Sequence, residues 1–229
     1  MLGRLELDGD ETVLDAGCGS GRVTAMLLER LPRGRVIAVD GAPSMVEQAR
    51  VSLPADRVEV MPPTDLVELE LDERVDAVFS NAVFHWIPDH NALFARLYAA
   101  LRPGGRLIAQ CGGAGNVAEF HRVATEVAMT EPFAEYLDGW TGPWNFQAPK
   151  PTEERLSRAG FEDVRCWLSP APVVPDEPLA FIRTVCLGPH IARLPEDLGE
   201  EYVQAVAERC GEPLQLDYVR LNIDARRSA

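Results

Sequence analysis

Three glycines at positions 17, 19 and 21 follow directly on an apolar run, in the stretch Val13-Leu14-Asp15-Ala16-Gly17-Cys18-Gly19-Ser20-Gly21. Glycine reaches backbone angles that a β-carbon forbids, and it lets the chain pass very close to a ligand. A helical pattern opens at Arg22, and a helix start brings free N–H groups and a positive dipole end. This is the signature of a nucleotide-type pocket. A dinucleotide site would read G-x-G-x-x-G, with a pyrophosphate on the helix start. Here the spacing is G-x-G-x-G, and Asp15, two residues before the first glycine, is a carboxylate placed to face an ammonium group.

Further polar groups stand at the ends of the following strand-like runs. Asp40 and Gly41 close the second, 25 positions after Asp15, near the offset of about 20 at which an acid binds ribose hydroxyls. Thr64-Asp65-Leu66 follows the third, with Asp65 a candidate acceptor for a base amino group and Leu66 a flank for its ring. Asn81-Ala82-Val83 closes the fourth, and Phe84-His85-Trp86 continues from it. His85 is the one histidine placed to act as a general base. Trp86, with Trp140, Trp144 and Phe146 farther along, could line an apolar acceptor pocket. Arg183 and Arg193 are possible partners for an acceptor carboxylate.

Ligands in open α/β sheets bind at the carboxyl ends of the strands, so the elements must deliver these residues to one edge. Strands are expected at Thr12–Ala16, Arg35–Asp40, Arg57–Met61, Val75–Ser80 and Arg106–Cys111. Helices alternate with them. Arg22–Leu31 carries Val23, Met26, Leu27 and Leu31 on one stripe, Ser44-Met45-Val46-Glu47 has the capping-box form, and Asp89 is an N-cap candidate before Leu93, Leu97 and Leu101. Regular β-α-β order predicts a parallel sheet with helices on both faces. The second half predicts a helix over Asn116–Met129, another over Thr152–Gly160 closed by Gly160, and strands at Asp163–Leu168 and Tyr218–Ala225. The segment between those strands, Ser169 to Asp217, opens Pro-rich and then carries helical stretches near Leu179–Leu187 and Glu200–Cys210. It reads as a helical cap insertion within a single 1–229 domain.

The chain has 229 residues, enough for one large α/β domain. Its 22 Lys and Arg against 36 Asp and Glu give a formal net charge of -14. That balance argues against nucleic-acid binding, which needs clustered cations, and against docking on anionic membrane. No apolar run is long enough for a membrane helix, and no signal peptide is expected. The five cysteines form no C-x-x-C or Cys/His ligand spacing, which predicts reduced thiols in a cytoplasmic protein and no metal site.

Taken in order, Asp15–Gly21, Asp40, Asp65, Asn81 and Leu101–Gly105 resemble the class I S-adenosylmethionine-dependent methyltransferases. Phe84-His85-Trp86 followed by Asp89-His90 looks like the trans-aconitate methyltransferase type, whose members also carry a helical insertion between the last two strands. The resemblance implies a Rossmann-like seven-stranded, mostly parallel sheet of order 3-2-1-4-5-7-6 with the last strand antiparallel. It implies S-adenosyl-L-methionine as cofactor, with contacts from Asp15, Gly17, Cys18, Gly19, Ser20, Gly21, Asp40, Gly41, Met45, Thr64, Asp65, Leu66, Asn81, Ala82 and Val83. It also implies methyl transfer to a small-molecule acceptor, with oxygen favoured. Family members usually carry one or two helices ahead of the first strand, whereas this chain reaches that strand by Thr12. A truncated start, a start codon mapped too late, or closure by the insertion would each account for this. Two rivals stay open: an NAD-dependent oxidoreductase, which shares the glycine loop and Asp40, and a non-catalytic protein that keeps the fold as a scaffold.

Overall fold

A computed structural model describes residues 1–229. In chain order the elements are β1 (Thr12–Ala16), α1 (Arg22–Leu28), β2 (Arg35–Val39), α2 (Pro43–Ser52), β3 (Val58–Val60), β4 (Val75–Asn81), α3 (His90–Ala100) and β5 (Leu101–Gly112). There follow α4 (Ala118–Ala128), α5 (Ala134–Leu137), α6 (Pro149–Arg158), β6 (Phe161–Pro170), α7 (Pro178–Phe181), α8 (Gly188–Ile191), α9 (Glu196–Arg209) and β7 (Val219–Arg227). The chain divides into two compact units. The first takes in Met1–Ala114, Asn145–Ser169 and Leu221–Ala229, and the second Gly115–Trp144 and Pro170–Arg220.

The first unit holds the sheet, in the order β3-β2-β1-β4-β5-β7-β6, with the strands from β3 to β5 parallel and the last strands antiparallel. All five residues of β1 are buried, as are four of the five in β2. A parallel strand covered by helices on both faces requires this, and it explains the absence of polar alternation in these runs. Two apolar clusters result, one around Leu14, Val39, Phe84, Leu97 and Leu107, the other around Val13, Leu27, Val36 and Phe79. Between Val75↔Leu101 and Ala77↔Arg106 the β4–β5 register shifts. The Arg102-Pro103-Gly104-Gly105 segment bulges out of the ladder there, with Gly104 at φ 77°.

Several element boundaries differ from expectation for local reasons. α1 ends at Leu28, not Leu31, because Pro32 follows and disfavours helical geometry in the residue before it. Its last turn tightens, with Arg30 N–H donating to Leu27 O and Leu31 N–H to Leu28 O. Met26, expected on the buried stripe, is half exposed, and Thr24 takes the inward position instead. Ser44 caps nothing, since Pro43 is already the first helical residue of α2 and Ala42 the N-cap. Gly160 stands just past α6 at φ 104°, as a helix-terminating glycine should.

The second unit joins Pro170–Arg220, which takes in nearly all of the 169–217 segment, to Gly115–Trp144. Its core gathers Phe120, Val127, Phe133, Ile182, Leu187, Tyr202 and Val206. The Tyr202 hydroxyl donates to Ala124 O at 2.8 Å, and its ring meets Phe133 edge-on at 5.1 Å. Between α7 and α8 the chain makes a π-helical turn over Ile182–Cys186, closed by Leu187 N–H on Ile182 O at 2.7 Å. α9 begins four residues ahead of its expected start, with Glu196 and Asp197 in its first turn, where acids favour the dipole.

Asp89 is the N-cap of α3, its Oδ1 accepting from Asn91 N–H at 2.9 Å and Ala92 N–H at 3.0 Å. Asp89→Ala is expected to destabilise the chain by about 1 kcal/mol, read as a lower urea midpoint at unchanged slope.

Candidate active site

The carboxyl ends of β1 to β4 surround a cavity of about 580 Å³. Gly17 and Gly19 contribute from the loop after β1, Asp40, Gly41 and Ala42 after β2, Pro63 to Leu66 after β3, and Asn81, Ala82, Val83, Trp86 and Ile87 after β4. Eleven residues singled out from the sequence therefore meet here: Gly17, Gly19, Asp40, Gly41, Thr64, Asp65, Leu66, Asn81, Ala82, Val83 and Trp86. Asp15, Cys18, Ser20, Gly21, Met45 and His85 lie outside its lining. Ala42, Pro63 and Ile87 line it without having been anticipated; each stands beside a residue that was.

The loop after β1 is built on backbone constraints. Gly17 and Cys18 both donate N–H to Val39 O, at 2.8 and 2.9 Å. Gly17 lies at φ 92°, and a β-carbon there would come within 2.0 Å of a Val83 methyl. Gly19 lies at φ 56°, and a β-carbon there would meet nothing within 4 Å. The first glycine is thus demanded by packing, while the second leaves open space. Asp40 joins this loop to the next one. Its Oδ2 accepts from Gly19 N–H and its Oδ1 from Ala42 N–H, each at 2.9 Å. A carboxylate oxygen accepts more than one hydrogen bond, so both keep capacity for ligand hydroxyls.

Asp65 folds its Oδ1 onto Val67 N–H at 3.1 Å, which shapes the turn after β3. The Thr64 hydroxyl donates to Pro62 O at 2.8 Å, and Thr64 N–H to Asp40 O at 3.0 Å. Ala82 follows Asn81 in the left-handed region, at φ 63°, with its N–H on Gln110 O at 2.7 Å. Non-glycine residues adopt such angles at a cost of about 1 kcal/mol, and they cluster at ligand sites.

Asp15 is 2% exposed, and the Thr24 hydroxyl donates to its Oδ2 at 2.7 Å. Removal from water raises its pKa from 3.8 to about 6; the Thr24 bond opposes this and the Asp40 charge reinforces it. Asp15 is thus a carboxylate held beneath the loop and not a wall of the cavity.

His85 presents its Nδ1 to Gly112 N–H at 3.2 Å, across from the end of β5. A nitrogen that accepts from a backbone amide carries no proton, so the ring proton sits on Nε2. The ring stacks on Phe146 at 5.7 Å and tilts against Trp86 at 5.1 Å. The sequence could not show this partner, which comes from 27 residues away.

Trp140 and Trp144 belong to the second unit, in a group with His121, His190 and Tyr202. Burial, helped by His121, lowers the His190 pKa to about 4. Arg193 lies over the Trp140 ring at 5.1 Å, while Arg183 is ion-paired with Glu200. No group of three or more His, Cys, Asp or Glu side chains is gathered in metal-binding geometry, and no helix is long and apolar enough to cross a membrane.

The donor set selects among nucleotide-like ligands. The cavity lining carries two carboxylates, Asp40 and Asp65, and the Asn81 amide, with no Lys or Arg. A pyrophosphate would bring two negative charges against these acids. A ligand with an ammonium group, ribose hydroxyls and an exocyclic amine matches them, and the open space at Gly19 admits it close to the backbone.

The elevated Asp15 pKa carries a stability consequence. The carboxyl ionises near 4 in the unfolded chain and near 6 in the folded one, so its penalty on folding grows between those values and is complete above them. Asp15→Asn keeps an acceptor for Thr24 and removes the charge. Ligand-free, it should unfold like the parent at pH 4 and be more stable at pH 8 by up to about 3 kcal/mol, read by thermal unfolding at both pH values.

A family model for the methyltransferase domain matches residues 14–107. Trans-aconitate 2-methyltransferase of Variovorax paradoxus (strain S110) is 31% identical over an alignment taking in 96% of this chain and 86% of that protein. The protein of the same name from Azoarcus sp. (strain BH72) is 46% identical over 110 residues, 48% of this chain and 42% of that one. Among solved structures, the YcgJ protein of Bacillus subtilis superposes with a TM-score of 0.70 at 16% identity, covering 100% of this chain and 97% of that one. Phosphoethanolamine N-methyltransferase 2 of Haemonchus contortus, solved with S-adenosyl-L-methionine, gives 0.62 at 20% identity, covering 98% and 50%. These two likenesses speak for the fold. The sheet order, the acidic cavity and the sequence relatives agree: the chain belongs to the class I S-adenosylmethionine-dependent methyltransferases, of the trans-aconitate methyltransferase type.

Proposed function

We propose that the chain methylates a carboxylate oxygen of a small, multiply charged organic acid. The observation that carries this reading is the state of His85. Its Nδ1 lone pair is engaged by Gly112 N–H and the ring lies outside the cavity lining, so it is not placed to act as a base on an acceptor there. An alcohol or carbon acceptor needs a base to remove its proton. A carboxylate is already a nucleophile at neutral pH, takes the methyl as a neutral ester and releases no proton. The names of the sequence relatives support the same acceptor class.

When bound, S-adenosylmethionine supplies an electrophilic methyl on a sulfonium that leaves as a neutral thioether. The residues we assign to holding it are Gly17 and Gly19 by close backbone approach, Asp40 at the ribose hydroxyls, Asp65 and Leu66 at the base, and Asn81 to Val83 at the amino-acid portion. Asp15, Cys18, Ser20, Gly21 and Met45 are assigned supporting roles in shaping those loops. What remains for the protein is alignment and exclusion of water, which are worth several kcal/mol and up to about 7–11 in the best cases. Trp86, in the cavity lining, is the residue we assign to the acceptor's apolar surround. The five cysteines, all free thiols, fit action in the cytoplasm.

Titration calorimetry with S-adenosylhomocysteine and with NAD tests the cofactor assignment. The thioether is expected to bind at micromolar affinity or better and NAD not at all; the reverse would restore the oxidoreductase reading. For the acceptor, methyl transfer to trans-aconitate and related polycarboxylates is compared with transfer to phenols and alcohols. His85→Gln is expected to keep kcat within about tenfold, since loss of a true general base lowers rates by about 10²–10⁴. A larger loss in His85→Gln, together with turnover of alcohols in the parent, would return His85 to the role of base and remove the carboxylate assignment.

A further inference from the structure

The second unit contains another cavity, of about 670 Å³, that shares no residue with the first. It lies between the proline-containing segment leading into α7 and the carboxyl end of α9. Leu179, Ile182, Ala207 and Leu214 supply apolar lining, and the charged residues of that lining are Glu208 and Glu212. The size suits a small ligand, and a mostly apolar wall with a few polar groups is the usual make-up of such a site.

Two features of this place are unfavourable as they stand. Leu179 is 40% exposed at one wall and Val174 58%, so a contiguous apolar surface faces water. Glu208 lies in the last turn of α9, and Glu212 just beyond its end. That end already carries the negative pole of the helix and its unsatisfied carbonyls, so carboxylates there are disfavoured where a cation would be favoured. Arg209 is in the same turn but not in the lining. Prolines at 175, 178 and 213 and the π-helical turn that carries Ile182 stiffen or widen the walls, and π-turns are frequent at functional positions. One ligand relieves both features: an apolar body against Leu179 and Ile182, and a positive charge between Glu208 and Glu212.

We propose that this cavity is a second small-molecule site, selective for an apolar organic ammonium ion. It is separate from the cofactor cavity and independent of the acceptor assigned above. The charge complementarity at Glu208 and Glu212 decides the class of occupant, and the formal net charge of -14 favours a cation at longer range.

The test uses the full chain and two probes of like size and opposite charge, 1-naphthylmethylammonium and 1-naphthylacetate, titrated by fluorescence and calorimetry with and without saturating S-adenosylhomocysteine. The cation is expected to bind at least tenfold tighter than the anion, unaffected by S-adenosylhomocysteine. The double variant Glu208→Gln/Glu212→Gln should erase that preference, and Leu179→Arg should abolish cation binding. These positions are exposed, so the variants should fold, as circular dichroism would verify. Equal binding of both probes, no binding of the cation at millimolar concentration, displacement by S-adenosylhomocysteine, or indifference to Leu179→Arg would each overturn the proposal. S-adenosylhomocysteine binding is scored separately in the same titrations, so failure here is distinct from failure of the cofactor assignment.

Discussion

The Asp40 carboxylate accepts a backbone N–H from each of two loops, Gly19 after β1 and Ala42 ahead of α2. Loop backbones carry donors that must be satisfied somewhere, and here one side chain satisfies two of them while fixing the distance between the segments. Val39 O, the carbonyl just before it, takes the N–H groups of Gly17 and Cys18. The cavity's glycine wall is therefore referenced to the end of β2 and not to its own strand. Charge-assisted bonds of this kind are the stronger class, and they fix two loops that border the cavity. The pocket is thus shaped before any ligand arrives.

Asp15 shows the other side of such economy. A carboxylate 2% exposed and bonded to one hydroxyl is a poor contributor to folding. The apolar layers on both faces of β1 offset it, with Leu14 and Val13 at 0% exposure in separate clusters. Its negative charge deepens the acidic character of a region whose cavity lining holds no cation. The family's cofactor brings an ammonium and a sulfonium, and a protein field of this sign suits both.

Much of the first unit was legible in sequence because its constraints are local. The glycine spacing, the acid closing β2, the Asp89 cap and the Gly160 stop each concern residues a few positions apart, and continuous apolar runs such as Val36 to Val39 announce a doubly covered strand. Contacts made across the fold were not legible. Thr24 reads as a gap in a helical stripe until Asp15 is found opposite it. The bond that Gly112, at the far end of another strand, donates to His85 Nδ1 has no local signal either. The second unit was seen only in part, as an insertion at 169–217, because Gly115–Trp144 joins it through pairings such as Tyr202 with Ala124 and Phe133, which no local pattern encodes.

The placement of the thiols makes the molecule its own reporter of opening. Cys18, Cys111 and Cys166 are buried in the first unit, Cys186 is buried in the second, and Cys210 is partly exposed there. Burial raises the Cys18 and Cys166 thiols to about 12 and Cys186 to about 11. At mildly alkaline pH the thiolate, which is the reactive form, is thus depleted by about a thousandfold at Cys18 and Cys166 relative to an unfolded chain. Alkylation at these positions then tracks excursions of the backbone and not encounter with the reagent. Because the cysteines are distributed over both units, mass spectrometry of labelled peptides would time the breathing of the two units separately, in the native sequence and without any engineered label.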